Sequence, residues 1–125
     1  MKVLVDSSVW IDYFRTGRDD DRLDGLIDEN IVVINDPILC ELVPFLKLRN
    51  QSRIIELLNA IERTELTIHW DQLIDWQYQC LKQGLNGIGI PDLIIAQNAV
   101  QRRCLLYSLD RHFALIQKIV HIKLY

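Results

Sequence analysis

The fold class is indicated most clearly by the stretch Lys2-Val3-Leu4-Val5-Asp6-Ser7-Ser8-Val9-Trp10-Ile11. In it a short apolar run is followed by an acid and two hydroxyl residues. A Val-rich run of this length is typical of a strand that is buried on both faces of a parallel sheet. Ser7 and Ser8 favour a helix start, and the residues from Val9 to Arg15 have helical apolar spacing. The stretch therefore predicts a strand that stops at Asp6 and passes directly into a helix.

Asp6 itself has two interpretations. In open parallel sheets, ligands bind at the carboxyl ends of the strands, so its carboxylate could belong to a ligand site. Asp is also a common N-cap residue, so the same carboxylate could simply cap the helix that follows. The opening stretch alone leaves both interpretations open.

The composition is that of an ordinary globular chain. The 125 residues are 50% hydrophobic and 25% charged, which suits one domain, residues 1–125, with one core. The formal net charge of -3 means that any binding to nucleic acid would rest on a local basic patch. No apolar run approaches the roughly 20 residues that span a bilayer, and Asp6 interrupts any signal-peptide core. We therefore expect a cytoplasmic protein with no membrane segment.

Cysteine usage gives no sign of a disulfide or a metal site. Cys40, Cys80 and Cys104 are odd in number, widely spaced and set among apolar residues. No pair has the spacing of metal ligands, so we expect buried, reduced thiols.

The rest of the chain alternates between apolar runs and amphipathic segments. Strands are predicted at Ile31–Ile34, Cys104–Asp110 and His121–Tyr125, and Leu66–Ile68 is either a short strand or an extended connector. Helices are predicted after Asp19-Asp20-Asp21, after a cap at Asp36 with Pro37 in the first helical position, over Gln51–Arg63, over Asp71–Gln83, from Pro91 and at Arg111-His112-Phe113. A break at Thr16-Gly17-Arg18 separates the first two helices. This alternation predicts an α/β fold whose parallel sheet carries helices on both faces.

Four acids occupy unusual positions in this pattern. Asp6 and Asp110 each end a strand, Asp92 lies in the first turn of an almost wholly apolar helix, and Glu41 interrupts the apolar side of another helix. An acid inside such a run is costly unless it has a partner, and Glu41 has no basic residue at helical spacing. Each acid also has an ordinary explanation: Glu41 as a solvated helix residue, and Asp92 as a charge that complements the helix dipole.

On an α/β fold these four acids could converge at the carboxyl edge of the sheet. Each pair of carboxylates about 4 Å apart would then cost on the order of 4 kcal/mol at an effective dielectric constant of about 20. Protons or divalent cations must relieve that repulsion. Oxygen ligands without nearby His or Cys favour Mg²⁺ or Mn²⁺, and such metals suit phosphodiester hydrolysis.

The combination resembles the PIN-domain ribonucleases, and among them the VapC-type toxins of prokaryotic toxin–antitoxin pairs. The resemblance covers essentially the whole chain and rests on four motifs, which are Val5-Asp6-Ser7-Ser8-Val9-Trp10-Ile11, Glu41-Leu42, Pro91-Asp92-Leu93-Ile94-Ile95-Ala96 and Ser108-Leu109-Asp110-Arg111-His112-Phe113. It implies a single three-layer α/β/α domain with a central, mostly parallel sheet of four to five strands.

The resemblance also implies a function and its residues. Asp6, Glu41 and Asp92 match the acids that hold the metal, and Asp110 matches a fourth acid that contacts the metals or their waters. Ser108 and Ser7 match hydroxyls that orient the acids, although Ser108 could also be an ordinary strand-end hydroxyl. His112 is expected to be structural. Pro44, just past Glu41, departs from the expected helix and could change the direction in which Glu41 points.

The implied activity is that of an endoribonuclease that depends on Mg²⁺ or Mn²⁺. Water activated by the metal would attack an RNA phosphodiester in line, without a covalent intermediate, and leave a 5′-phosphate and a 3′-hydroxyl. A basic rim would offset the acidic site, with candidates Arg15, Arg18, Lys47, Arg49, Lys82, Arg102 and Arg111. The implied partners are a second copy of the chain, as a homodimer, and a VapB-type antitoxin, with candidate contacts at Trp10, Tyr13, Trp70 and Trp76.

Three other functions were weighed against this one. A phosphatase of the haloacid-dehalogenase kind needs a second Asp two residues after the first, where this chain has Ser8. A phosphorelay receiver needs an acidic pair near the end of the first strand, where only Asp6 is present. A catalytically inactive PIN fold that only binds RNA or protein remains the alternative, although all four acids are retained.

Overall fold

The computed structural model describes residues 1–16 and 22–125. In chain order its elements are β1 (Val3–Val5), α1 (Ser7–Thr16), α2 (Arg22–Asp28), β2 (Val32–Ile34), α3 (Asp36–Leu48), α4 (Ser52–Ala60), β3 (Glu62–Arg63), α5 (Trp70–Lys82), α6 (Ile90–Arg102), β4 (Leu105–Tyr107), α7 (His112–Ile116) and β5 (Lys123–Leu124). The predicted helix break at Gly17-Arg18 and the predicted acidic helix start at Asp19-Asp20-Asp21 lie outside the described residues. None of the helices in these two ranges is long and apolar enough to cross a membrane.

The sheet is parallel throughout, with the strand order β3-β2-β1-β4-β5. Right-handed crossovers place α1 to α4 on one face of such a sheet and α5 to α7 on the other. The observed packing agrees, because α1 and α4 contact α3, whereas α5 and α7 contact α6. The predicted three-layer α/β/α fold is therefore confirmed, with five strands.

The strand order creates a topological switch point between β1 and β4. After β1 the chain turns toward β2, whereas after β4 it turns the other way, toward β5. Asp6 directly follows β1 and Ser108 directly follows β4, and the two strands pair in register from Val3 with Leu105 to Val5 with Tyr107. Ligands of open parallel sheets bind at this kind of position.

Burial of the central strands explains the short apolar runs. All three residues of β1 and all three of β2 are buried, as expected for strands covered by helices on both faces. Trp10 is fully buried and stacks on Phe14 with ring centroids 5.8 Å apart, and Trp76 is only 9% exposed. The prediction that Trp10 and Trp76 contact an antitoxin is therefore wrong, because these rings belong to the core.

Three local predictions are also wrong. The helix predicted over Gln51–Arg63 ends at Ala60, and Glu62–Arg63 form the third strand, while residues 66–68 are the extended connector that was one of their two predicted alternatives. Helix α3 is capped by Asn35, whose side chain accepts from the backbone N–H of Ile38, so Asp36 is the first helical residue. Cys40 is an exposed thiol rather than a buried one, whereas Cys80 and Cys104 are buried and free as predicted.

Candidate metal centre

Asp6 lies almost completely buried at the end of β1, and two serines hold its carboxylate. Its Oδ2 accepts hydrogen bonds from Ser8 Oγ at 2.8 Å and from Ser108 Oγ at 2.9 Å. Each hydroxyl oxygen accepts in turn from a backbone N–H, that of Leu109 for Ser8 and that of Asp110 for Ser108. The two hydroxyl oxygens also lie 3.2 Å from each other, so Ser8, Ser108 and the Asp6 carboxylate form one hydrogen-bonded group.

Asp6 also precedes helix α1 and caps it, as one of its two interpretations expects. The backbone N–H of Ser8 approaches Asp6 Oδ2 at 3.4 Å, and the Asp6 carbonyl accepts from Val9 and Trp10. The carboxylate thus faces the start of a helix, where the dipole favours negative charge.

Glu41 belongs to α3, and its side chain contacts the first turn of α1. Ser7 Oγ donates to Glu41 Oε2 at 3.1 Å, so the two neighbouring serines serve different acids. Helix α3 continues without a break through Pro44, which costs it only the hydrogen bond to the carbonyl of Cys40. Glu41 is more exposed than predicted, because it lies on the solvent side of α3 beside the buried Leu42.

Asp92 and Asp110 form the other side of the centre, and His112 lies between them. His112 Nδ1 is 3.2 Å from Asp92 Oδ2 and 3.4 Å from Asp110 Oδ1, and one ligand atom from each residue falls within 4.8 Å of the others. The backbone N–H of His112 also donates to Asp110 Oδ1 at 2.9 Å. No local sequence pattern indicates the contact with Asp92, because His112 lies 20 residues from it along the chain.

The acids influence one another's ionisation. Partial burial raises the pKa of Glu41, and three neighbouring carboxylates raise it further, those of Asp6, Asp92 and Asp110. The hydrogen bond from Ser7 opposes both effects. Glu41 therefore lies within electrostatic reach of acids from three other parts of the fold, whereas among the described residues only Asp92, Asp110 and His112 bring ligand atoms within 4.8 Å of one another.

Asp92 shows the same balance. Partial burial raises its pKa, the charges of Asp110 and Asp6 raise it further, and the contact with His112 lowers it. The pKa of Asp92 is raised although the carboxylate lies in the first turn of α6, where the helix dipole favours an anion. Burial and two neighbouring carboxylates thus outweigh the His112 contact in setting the pKa of Asp92.

This donor set fits a hard divalent cation. Carboxylate oxygens are the preferred ligands of Mg²⁺ and Mn²⁺, and a cation would relieve the repulsion that raises the pKa of Glu41 and Asp92. The serine hydroxyls that hold Asp6 and Glu41 match the outer hydrogen bonds that usually orient metal ligands. His112 adds a nitrogen at the edge of the cluster, where it could serve as a hydrogen-bond donor to the acids.

Buried amides fix the helix that carries Asp92. Asn98 is 1% exposed and accepts on Oδ1 from Asn35 and from Thr64, while its Nδ2 donates to the carbonyl of Glu65. These bonds attach α6 to the cap of α3 and to the connector after β3. Sequence analysis missed this network, because polar residues in an apolar helix have no periodic signal that reveals their partners.

The turn before α6 depends on glycine. Gly84 and Gly87 have φ values of +72° and +85°, a conformation that other residues adopt only with strain. Pro91 follows in the first turn of α6, where its missing N–H costs nothing. The glycine-rich segment therefore directs the chain from α5 into the helix start that presents Asp92.

The predicted basic rim is only partly supported. Arg15 and Arg49 line an open groove of about 640 Å³ between α1, α3 and α4, with Glu41 at its edge. Arg102 instead pairs with Glu65 at the far end of α6, about 15 Å from Asp92 along the helix. Arg18 lies outside the described residues.

Comparison with known proteins agrees with this fold. The family model of the PIN domain matches residues 3–119. A sequence comparison with curated proteins gave no significant match.

Three solved structures share the fold over the whole chain. DNA-bound VapBC from Salmonella typhimurium has a TM-score of 0.79 at 17% identity, covering 100% of this chain and 97% of that chain. VapBC2 from Rickettsia felis, bound to a promoter DNA fragment, has a TM-score of 0.79 at 20% identity, covering 100% and 98%. VapBC-1 from nontypeable Haemophilus influenzae has a TM-score of 0.73 at 19% identity, covering 100% and 97%. Because the family model spans nearly all of the sequence and the fold agrees, this chain belongs to the PIN domain family.

Proposed function

We propose that this protein is a divalent-metal-dependent endoribonuclease and the toxin of a type II toxin–antitoxin pair. One observation carries the proposal. The carboxyl groups of Asp6, Glu41, Asp92 and Asp110 come from four elements that are far apart in sequence, and the charges of Asp6 and Asp110 raise the pKa of both Glu41 and Asp92. Membership of the PIN domain family, in which such clusters serve nuclease chemistry, supports the same reading.

Within this proposal the acids have different tasks. Asp6, Glu41 and Asp92 would hold Mg²⁺ or Mn²⁺, and Asp110 would contact the ion or its waters from the opposite side of His112. The ion would supply a water activated for attack and positive charge at the phosphodiester. No protein nucleophile is needed, because the cluster offers oxygen ligands rather than an activated Ser or Cys.

The supporting residues would keep these ligands in place. Ser8 and Ser108 hold Asp6, Ser7 holds Glu41, and His112 spaces Asp92 from Asp110. Holding the acids in advance of binding lowers the reorganisation that the metal and the phosphate would otherwise require. Arg15 and Arg49, at the groove beside Glu41, would contribute positive charge toward the RNA backbone.

The proposed partners are a VapB-type antitoxin and a second copy of the chain, in the cytoplasm. The three similar structures are all VapBC proteins by their descriptions, which supports an antitoxin partner. The groove beside Glu41 is the site we favour for the antitoxin, because Ile11 and Phe45 on its walls are 50% and 55% exposed. An apolar antitoxin segment there would also reach the acidic cluster.

RNA cleavage tests the proposed activity directly. Purified protein is incubated with a mixed RNA substrate and Mn²⁺ or Mg²⁺, with and without EDTA, beside the Asp6→Asn variant. We expect cleavage by the wild type that EDTA abolishes, and 5′-phosphate ends on the products. If the wild type cleaves no more than Asp6→Asn, the enzyme proposal fails, and binding of intact RNA in the same samples would favour the inactive binding module.

A further inference from the structure

Helix α5 has a continuous apolar stripe that faces solvent. Its members are large side chains at intervals of four, four and three residues, and between 58% and 66% of each is exposed: Trp70, Ile74, Tyr78 and Leu81. Residues at this spacing share one side of a helix, and the stripe is about 16 Å long. The opposite side of α5 is already buried through Leu73, Trp76 and Cys80, so the stripe is a second apolar face.

A second apolar face of this size requires an explanation. Single exposed hydrophobic residues are ordinary, but four large ones in a row make a contiguous patch on the order of 500 Å², which is typical of an interaction surface. Ile74 and Leu81 contribute nothing to the acidic cluster, which is assembled from β1, α3, α6 and the segment after β4. The stripe therefore has no role in the chemistry proposed above.

The stripe matches an antiparallel copy of itself. When two α5 helices pack antiparallel about a two-fold axis near residue 76, Trp70 faces Leu81 of the second copy and Ile74 faces its Tyr78. Each contact then occurs twice, as a two-fold symmetric interface requires. Each pair joins an aromatic ring to an aliphatic side chain, Trp70 to Leu81 and Tyr78 to Ile74, and such pairs of unequal size let two helices pack closely.

The charges beside the stripe show the same complementarity. Asp71 lies in the first turn of α5 and Lys82 in its last turn, both exposed and both on the same flank of the stripe. In an antiparallel pair the same flanks face each other, so Asp71 of one copy meets Lys82 of the other at both ends of the contact. The Lys82 ammonium already lies 6.0 Å from the ring of Tyr78, which places it beside the stripe.

We infer that the apolar stripe of α5, with Asp71 and Lys82 on its flank, is the surface through which two copies of this chain associate. This inference rests on the proposed function only in so far as that function includes a homodimer, for which it names the face and the antiparallel arrangement. A stable interface buries about 800 Å² on each partner, so the stripe would supply more than half of what is needed and its polar flanks the rest.

Oligomeric state measured across a concentration series tests the inference. Sedimentation velocity is run on the full chain, on Ile74→Asp and on Leu48→Asp, a matched control that changes another exposed residue, 82% exposed, at the end of α3. We expect a wild-type dimer that Ile74→Asp weakens by about 10-fold or more and Leu48→Asp leaves unchanged. A wild-type monomer at every concentration would overturn the inference and assign the stripe to another molecule. A dimer that Ile74→Asp leaves intact would overturn it as well.

A charge exchange tests the antiparallel arrangement. Asp71→Lys and Lys82→Asp should each weaken the dimer, because each places like charges together, and the double variant should restore it. Failure of the double variant to recover would rule out this pairing. Metal-dependent RNA cleavage by the wild type, measured on the same preparation, keeps the two proposals apart: a wild-type dimer that does not cleave RNA would count against the enzyme and not against the α5 surface.

Discussion

Ser108 Oγ donates a 2.9 Å hydrogen bond to Asp6 Oδ2 across 102 residues of sequence. The bond is possible because β1 and β4 are adjacent and parallel, so that their carboxyl ends meet at the topological switch point. Ser8 Oγ donates to the same oxygen at 2.8 Å and lies 3.2 Å from Ser108 Oγ. The carboxylate that we propose as the central metal ligand is thus oriented before any ion arrives.

Removing the Ser108 hydroxyl should weaken the centre without unfolding the protein. We expect Ser108→Ala to reduce metal affinity or cleavage by about 10-fold, a typical effect for a residue that orients a metal ligand. Ser108→Thr, which keeps the hydroxyl, should recover most of the loss. The matched control is Ser52→Ala at the start of α4. Equal loss in the Ala and Thr variants would show that the hydroxyl does not matter.

His112 should act through its contacts with Asp92 and Asp110. Truncation to Ala leaves those two carboxylates without the ring nitrogen that lies 3.2 Å and 3.4 Å from them. We expect His112→Ala to lower metal affinity by roughly 10-fold, as loss of an orienting contact does. In His112→Asn the side-chain amide can replace Nδ1, so this variant should keep more affinity than the Ala variant. Mn²⁺ titration of both variants checks this order, and the reverse order would contradict it.

The raised pKa of Glu41 and Asp92 makes the stability of the metal-free protein depend on pH. The folded chain holds these protons to a higher pH than the unfolded chain does, for which carboxyl pKa values are about 4. In EDTA the free energy of unfolding should therefore fall as pH rises from that range through the raised pKa values. Urea unfolding at a series of pH values should show this fall.

A neutral variant should remove part of that dependence. Asp92→Asn carries no charge at any of these pH values, so in EDTA it should unfold at a higher urea concentration than the wild type near neutral pH. Mg²⁺ should reverse the order, since a ligand at 100 times its Kd stabilises the wild type by about 2.7 kcal/mol. A variant less stable than the wild type under both conditions would show that Asp92 does not carry the strain.

The buried amide network should contribute to stability rather than chemistry. Asn98→Ala leaves the side chains of Asn35 and Thr64 without an acceptor in a buried site. We expect a loss of about 2 to 3 kcal/mol in the free energy of unfolding, the usual cost of unsatisfied buried polar groups. Asn59→Ala, an exposed position on α4, is the control and should change stability little. Thermal or urea unfolding measures both variants.

The elements that sequence predicted well are those with strong local patterns. The Val-rich run before Asp6 and the apolar helix after Pro91 have periodicities that one segment can display alone. The third strand falls at the end of a segment predicted to be helical, because Glu62 and Arg63 are an exposed edge pair without an apolar signature. This strand forms because it pairs with β2, and a sequence pattern that covers only a few neighbouring residues cannot show that pairing.

The residues of the candidate site also fall into two groups, those with a local sequence signal and those without one. Asp6, Glu41, Asp92 and Asp110 were found because an acid at a strand end or in an apolar run is locally unusual. The contacts of Ser8 and His112 were missed, because each is defined by a partner about 100 or 20 residues away. Tertiary hydrogen bonds of this kind have no counterpart in local sequence spacing.

Direct measurement of Mn²⁺ binding tests the central claim, that acids from separate elements share a divalent ion. Calorimetric titration compares the wild type with Asp6→Asn, Glu41→Gln and Asp92→Asn. Glu56→Gln, which changes an exposed acid on α4, serves as the matched control. The account predicts that each of the three variants loses about 10-fold or more in affinity while the control binds as the wild type does. Wild-type affinity in Asp6→Asn, Glu41→Gln and Asp92→Asn would contradict it.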